Sequence, residues 1–403
     1  MRRVVSKASS LSGVFLAMSA VTCYAQTNVK STETQAENVL NRVVSASDIT
    51  LYGIIDASVD YISNQGGHSS IQAQNGMING SRWGLKGSED LGGGTSAMFQ
   101  LENGFNIFNG KLGQGGRLFG RQAWVGLSDK KYGTVTLGRQ YDPTIWYLGT
   151  LTGGFNGGTA FAHPFDNDNM GNSFRLNNAV EYASPTWSGF SMRGMYAFSN
   201  RAGDVKDDRA ISAGAGYKYG NLNLGTAFIV IDNVGGNPGG AADGSSTGDA
   251  TFIARRQLVY GFGGNYTYGK GIYGATWTHT RIDNGTSVNL GGYVPMGNAD
   301  MNLDNFDINA TYNLTPAFVL LGTYTYTMSD FDNTQGKAHP NWNQVSARAD
   351  YFLSKRADVY VNGMFQHVSG SGKTPFAGAI IAGYSQSSSP SQIVVGVGMR
   401  YKF

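Results

Sequence analysis

QIVVGVGMRYKF, the stretch from Gln392 to Phe403, carries an apolar or aromatic side chain at every odd position: Ile393, Val395, Val397, Met399, Tyr401 and Phe403. The even positions hold Val394, then Gly396 and Gly398 without bulk, then the cations Arg400 and Lys402. Period-two alternation is the signature of a strand with two unlike faces. A greasy face, a face suited to water and an aromatic C-terminus describe the closing strand of a membrane-spanning barrel.

The same rhythm begins at Ile49. In ITLYGIIDASVDYI, Leu51, Ile55, Ala57, Val59 and Tyr61 share one face, and Thr50, Tyr52, Asp56, Ser58 and Asp60 the other. Ala97, Phe99 and Leu101 oppose Met98, Gln100 and Glu102; Val345, Ala347, Ala349 and Tyr351 oppose Gln344, Ser346, Arg348 and Asp350. The pattern predicts sixteen strands, near 49–62, 81–89, 95–105, 118–128, 133–141, 175–184, 188–198, 210–219, 222–231, 256–267, 271–281, 304–313, 317–327, 342–352, 356–367 and 391–403. Short connections at Asp90–Gly94, Asp129–Tyr132, Pro185–Trp187, Gly220–Asn221, Tyr268–Lys270, Leu314–Pro316 and Leu353–Lys355 alternate strictly with long ones. The long loops near 63–80, 142–174, 232–255, 282–303 and 368–390 are rich in Gly, Ser, Asn and Asp and read as solvent-exposed. A soluble sandwich has no reason to sort its loops by length. The expected fold is all-β: an antiparallel up-and-down barrel of 16 strands, with tight periplasmic turns, long external loops and both termini periplasmic.

Composition agrees. Glycine supplies 58 of 403 residues and charged residues only 14 %, against typical shares of ~7 % and ~25 %. The 22 Tyr, 21 Phe and 6 Trp suit rings placed at two membrane interfaces. No later apolar run is long enough for a membrane helix, so a closed barrel is the remaining way to span lipid.

Residues 1–25 read as a secretory signal, with Arg2, Arg3 and Lys7 before a short apolar core at Leu11–Val21 and a cut before Gln26. Cys23 is the only cysteine; a lipid anchor on it is the alternative reading. Cleavage removes three of 30 basic residues and none of 27 acidic ones, so the net +3 belongs to the signal and nothing points to nucleic acid. Residues 26–47 form a glycine-free leader, either disordered or a short periplasmic helix near Glu33–Val44. The domain proper is 48–403.

A wide barrel needs a constriction. The segment 142–174, flexible through its glycines and apolar through Trp146, Tyr147, Phe155, Phe161 and Phe165, is the candidate for an inward-folded third loop. Asp142, Asp166 and Asp168 would give it negative charge, with solvated loop carboxylates as the alternative and calcium as a further option. The opposite wall should be basic. Arg82 and Lys86 fall on the inward face, with Trp83 and Leu85 outward, and Arg175 falls inward with Leu176, Val180 and Tyr182 outward. Arg121 and Arg139 share parity with Val125 and Leu127, or with Val135 and Leu137, so alternation turns them to lipid unless a bulge or subunit contact intervenes. Five histidines show no metal-ligand spacing, no G-x-S-x-G is present, and glycine-rich DLGGGTSAMF lacks the helix a phosphate cradle requires. No enzyme, metal or cofactor is expected.

From Ile49 to Phe403 the chain resembles the general porins of the Gram-negative outer membrane. ITLYGIIDASVDY, SRWGLKGSEDLGGGTSAMFQLE, RQAWVGLSDKKYGTVTLGRQYD, NNAVEYASPTWSGF and the terminal Arg-Tyr-Lys-Phe carry the resemblance. It implies a sixteen-stranded barrel, a homotrimer in outer-membrane lipid, a third loop folded into the pore and passive diffusion of ions and small hydrophilic solutes. It also implies that Phe403 and Tyr401 form the C-terminal signal read by the barrel-assembly machinery, and that Arg82, Arg121 and Arg175 occupy basic-cluster positions. Two features depart from the family. The acidic pair expected early in the third loop has no counterpart in TIWYLGTLTGGFNGG, which predicts weak anion preference, and the leader 26–47 is longer than usual. A substrate-specific channel and an adhesin or receptor with binding external loops are the alternative functions.

Overall fold

The computed structural model describes residues 47–236, 239–243 and 250–403; the signal and leader expectations lie outside these. Among the described residues, eighteen antiparallel strands form one sheet. They are β1 (Ser47–Gln65), β2 (His68–Asn75), β3 (Arg82–Gly92), β4 (Thr95–Gly104), β5 (Gln122–Asp129) and β6 (Gly133–Gln140). Next come β7 (Leu176–Ala183), β8 (Phe190–Ala197), β9 (Arg209–Tyr219), β10 (Leu222–Asp232), β11 (Phe252–Tyr268) and β12 (Gly271–Asn289). The last are β13 (Tyr293–Asn313), β14 (Phe318–Asn333), β15 (Gly336–Ala338), β16 (Asn341–Phe352), β17 (Ala357–Ser369) and β18 (Ser391–Lys402). Two of them, β2 and β15, are short loop strands folded back on β1 and β14, and the other sixteen make the wall.

The wall closes where the chain ends. β18 pairs with β1 from Ile54↔Lys402 to Ile62↔Val394. The Phe403 amide donates to Gly53 O at 3.1 Å, and the Gly53 amide returns a bond to Phe403 O at 3.0 Å. A Cβ on Gly53 would lie 2.3 Å from the Phe403 ring, so glycine admits that ring at the seam. The alternation of Gln392–Phe403 is realised: Ile393, Val395, Val397, Met399, Tyr401 and Phe403 are exposed outward, while Gln392, Val394 and Arg400 are buried.

The sequence pattern places the strands but not all their outer ends. The span 282–303, read as a loop, is largely strand: β12 and β13 run on together to a turn at 290–292. Beyond lipid neither face must be apolar, so the hydrogen-bonded ladder outlasts the alternation that marks it. The span 368–390, read as solvent-exposed, folds inward: Phe376, Ile380, Ile381 and Tyr384 are buried. Its run FAGAIIA is the sequence feature that marks the departure.

Alternation also fails at a bulge. The β6–β7 register shifts between Gly138 and Gln140, with Gly138 at φ 137°. The shift is the bulge that alternation left open for Arg139: it turns the side chain from lipid into the protein, where it is buried. Across the same irregularity Asn178 takes φ 54°, and Leu176, expected outward, is buried in the inner apolar cluster. Arg121 precedes β5, so the parity of Val125 and Leu127 does not bind it; its side chain is buried too.

A Cβ at position 138 would lie 2.1 Å from Ala123 O. Gly138→Ala is expected to destabilise the barrel by about 1–3 kcal/mol, seen as a lower temperature for loss of the fast-migrating folded band on denaturing gels. Gly363→Ala, where an added Cβ meets nothing within 4 Å, should leave that temperature unchanged.

Candidate pore constriction

Between β6 and β7 the chain turns into the barrel instead of away from it. Asp142 caps a helical turn at Pro143–Tyr147 by accepting from the Thr144 amide at 2.9 Å. Tyr147 then presses flush against β9 and β10, because Gly214, Gly216 and Gly225 leave room for it; a Cβ on Gly225 would lie 2.0 Å from Tyr147 O. Further along, Asn309 donates to Leu151 O at 2.9 Å and the Gly153 amide donates to Asp307 at 3.3 Å. Arg348 donates to Asn156 O at 3.0 Å and to Gly157 O at 3.1 Å, and Gln344 to Ala160 O at 3.1 Å and Ala162 O at 3.3 Å. Polar side chains on the inward face of the wall thus satisfy the backbone of an irregular segment at membrane depth, which is the condition for such a segment to exist there.

The loop 370–390 is fastened to the same frame. Gln366 accepts from the Ile380 amide at 2.5 Å and Gln392 from the Ile381 amide at 3.0 Å, while Gln366 Nε2 donates to Gln344 Oε1 at 2.8 Å. Phe376 stacks on Phe165 with centroids 5.4 Å apart and meets Trp342 edge-on at 5.8 Å. Above the third loop, Phe165, Asp166 and Ser173 border a cavity of about 380 Å³ together with Tyr384 and Ser385.

The three aspartates are engaged within the fold. Asp142 is the cap just described. Asp166 accepts from the Gly171 amide at 2.7 Å and the Ser173 amide at 3.0 Å; burial, then the neighbouring Asp168 charge, pushes its carboxyl up to about 6. Asp168 accepts from His163 Nδ1 at 2.6 Å and from the Thr278 hydroxyl at 2.5 Å. Burial opposes its charge, but His163 outweighs burial and holds it below the usual carboxylate range. Among the described residues no group of three or more His, Cys, Asp or Glu could hold a metal.

The basic residues converge elsewhere, along β3 to β7. Arg121 Nε donates to Glu102 Oε1 at 2.7 Å and its Nη2 to Tyr141 Oη at 2.8 Å; Arg82 Nη1 stands 4.0 Å from the same Glu102 oxygen. Arg175 lies over the Tyr141 ring, 5.0 Å from its centroid. Arg139 donates to Asn177 Oδ1 at 2.5 Å and to Arg175 O at 3.3 Å. Lys86 is set apart, exposed, 5.5 Å from the Tyr52 ring whose hydroxyl donates to Glu102 at 2.9 Å. Nothing in the sequence marks Glu102 and Tyr141 as site residues. The inward parity Glu102 shares with Gln100 marks its direction, but nothing local marks its partners.

His163 anchors the loop to the wall, with Nδ1 on Asp168 and Nε2 3.9 Å from Asp307 of β13. Burial works against its proton, but Asp168 and then Asp307 outweigh burial and push it up to about 9. Because the folded value lies above the ordinary ~6.5, this stabilisation is complete below that pH and is lost as pH rises through about 9. The detergent-solubilised protein should lose thermal stability between pH 7 and 10 more steeply than His163→Gln, which starts lower and stays flatter. Parallel melting curves for the two would exclude this anchor.

A family profile described as Gram-negative porin matches residues 12–371. An outer membrane porin protein of Bordetella pertussis is 35 % identical over 253 residues, which cover 55 % of this chain and 61 % of that protein. Outer membrane porin protein 32 of Delftia acidovorans is 35 % identical over 166 residues, covering 39 % and 46 %. The chain therefore matches less than two thirds of the length of these relatives. Among solved structures, an anion-selective porin from Comamonas acidovorans superposes with a TM-score of 0.69 at 22 % identity, over 89 % of this chain and 100 % of that one. The trimer form of OmpT from Vibrio cholerae gives 0.64 at 16 % identity, over 89 % and 100 %. At such identities these structures share the fold. The profile match over most of the chain is independent of them and agrees with the closed wall and the inward third loop: the chain belongs to the Gram-negative porin family.

Proposed function

We propose that the protein is an outer-membrane channel through which ions and small hydrophilic solutes diffuse passively, with anions preferred. The observation that carries the preference is the group Arg82, Arg121 and Arg175, gathered on one arc of wall about Glu102 and Tyr141, with Arg139 bonded to Arg175 O beside them. Guanidinium charges persist at any physiological pH. In a narrow passage with low-dielectric walls they raise the local concentration of the opposite ion. The aspartates expected to oppose them are taken up in capping and anchoring the loop. Anion selectivity, stated for the Comamonas porin, accords with this reading.

The rest of the reading follows the family. Residues 1–25 act as a cleaved signal, 26–47 as a leader, and 48–403 as the barrel, assembled as a homotrimer in outer-membrane lipid with periplasmic termini. Phe403 and Tyr401 serve as the signal for the barrel-assembly machinery. The chain is a conduit and catalyses no reaction.

In planar bilayers under a potassium chloride gradient, the reversal potential should carry the sign of chloride preference. Arg82→Ala combined with Arg175→Ala should lower the chloride-to-potassium permeability ratio several-fold, and Glu102→Gln should raise it. Cation preference in the unmodified protein would overturn the selectivity, and absence of stepwise current would overturn the channel.

A further inference from the structure

Inside the barrel, the helical turn Pro143–Tyr147 has two unlike sides. Pro143, Thr144 and Ile145 are buried, and Tyr147 lies against the wall with its hydroxyl donating to Ser191 Oγ of β8 at 3.2 Å. Trp146 is left 39 % exposed. An indole in water forgoes the stabilisation that burial brings, and what surrounds this one gives its exposure a use.

The Arg193 guanidinium of β8 lies over the indole, 4.6 Å from the ring centroid, close enough for attraction to the π face. The Tyr141 ring meets the same indole edge-on, with centroids 6.1 Å apart and planes at 64°. Arg175 in turn lies over Tyr141, 5.0 Å from its centroid, and Arg121 reaches the Tyr141 hydroxyl at 2.8 Å. Two rings are thus flanked by cations at both ends, in the order Arg193, Trp146, Tyr141, Arg175.

Two members of this row keep bonding capacity. Arg193 Nη1 donates to Glu181 Oε1 at 2.5 Å, and its other N–H groups have no acceptor among the described residues. The Arg193 side chain is 29 % exposed while Glu181 is buried, so the guanidinium rather than the carboxylate meets the lumen. Trp146 Nε1 also lacks an acceptor among the described residues. A small inorganic anion uses the charge of this row but not its rings.

We propose that the row is a binding site for planar aromatic carboxylates, whose ring lies on the exposed part of the Trp146 indole while the carboxylate takes the N–H groups of Arg193 that Glu181 leaves free. A carboxylate matches two parallel guanidinium donors. Offset ring stacking adds an attraction that a saturated ring of the same size lacks. The inference rests on the channel reading and narrows it by naming a class of solute.

The test uses the full mature protein and two acids, benzoate and cyclohexanecarboxylate, which are equal in charge and close in size but differ in having a π face. In planar bilayers benzoate should block single-channel current at about fivefold lower concentration. Trp146→Leu should bring the two blocking concentrations together, and Arg193→Gln should raise both several-fold. Equal block by the two acids in the unmodified protein, or block by neither, would overturn the proposal without recourse to any variant. So would a conducting Trp146→Leu protein that keeps the full preference. Titration calorimetry of the detergent-solubilised protein with the same acids reads the same ratio without current. Chloride current recorded with neither acid present reports on the channel alone, so failure of aromatic binding and failure of the channel reading are distinguishable.

Discussion

A backbone amide or carbonyl in lipid has no water to turn to, and the fold follows from that constraint. An open sheet of sixteen strands would present two unpaired edges; pairing β18 with β1 removes both. The C-terminal residue is consequently part of the wall, its amide and carbonyl bonded to Gly53. Closure fixes the diameter, and a cylinder of this strand number is too wide for its own side chains to fill. The interior must therefore be wet, or occupied by chain brought in from elsewhere.

Chain brought in from elsewhere meets the same constraint. The third loop has little regular structure to satisfy its own backbone, and the wall provides partners through Gln344, Arg348, Asp307 and Asn309. Gln366 and Gln392 do the same for 370–390. The polar inward face thus has two uses: beneath the loops it replaces water for their backbones, and along β3 to β7 it carries the arginine group. The third loop's own carboxylates, Asp142, Asp166 and Asp168, are turned into its packing.

What was legible in the sequence is what repeats. Lipid on one side and polar groups on the other impose a period of two on every strand, so the wall strands, the short turns and the site of closure can be read from residue order. A bulge adds one residue and reverses parity with only a glycine to mark it, which is why alternation alone points Leu176 outward and leaves the side of Arg139 open. Above the membrane the asymmetry of environment ends and so does the pattern, hiding the outer halves of β12 and β13. The inward course of 370–390 was encoded in an apolar run inside a loop otherwise rich in serine and glycine. The roles of Asp142, Asp166 and Asp168 depend on backbone amides only folding brings near. Composition gives their charge but not their company.

The arginine group illustrates how a fold can hold like charges together without cancelling them. At 4 Å a pair of unit charges interacts by about 1 kcal/mol in water and about 4 kcal/mol at an effective dielectric of 20, so gathering several guanidinium groups has a real cost. Glu102 offsets part of it, touching Arg121 directly and standing 4.0 Å from Arg82, while the Tyr141 hydroxyl accepts from Arg121 and its ring lies beneath Arg175. A second carboxylate would bind the cluster more tightly and leave less field for a passing ion. A neutral residue at 102 would leave the repulsion unrelieved. One carboxylate and one phenol orient the arginines and leave them a net charge. Screening lengths of ~10 Å at 0.1 M salt confine the reach of that charge to ions that pass close to this arc of wall.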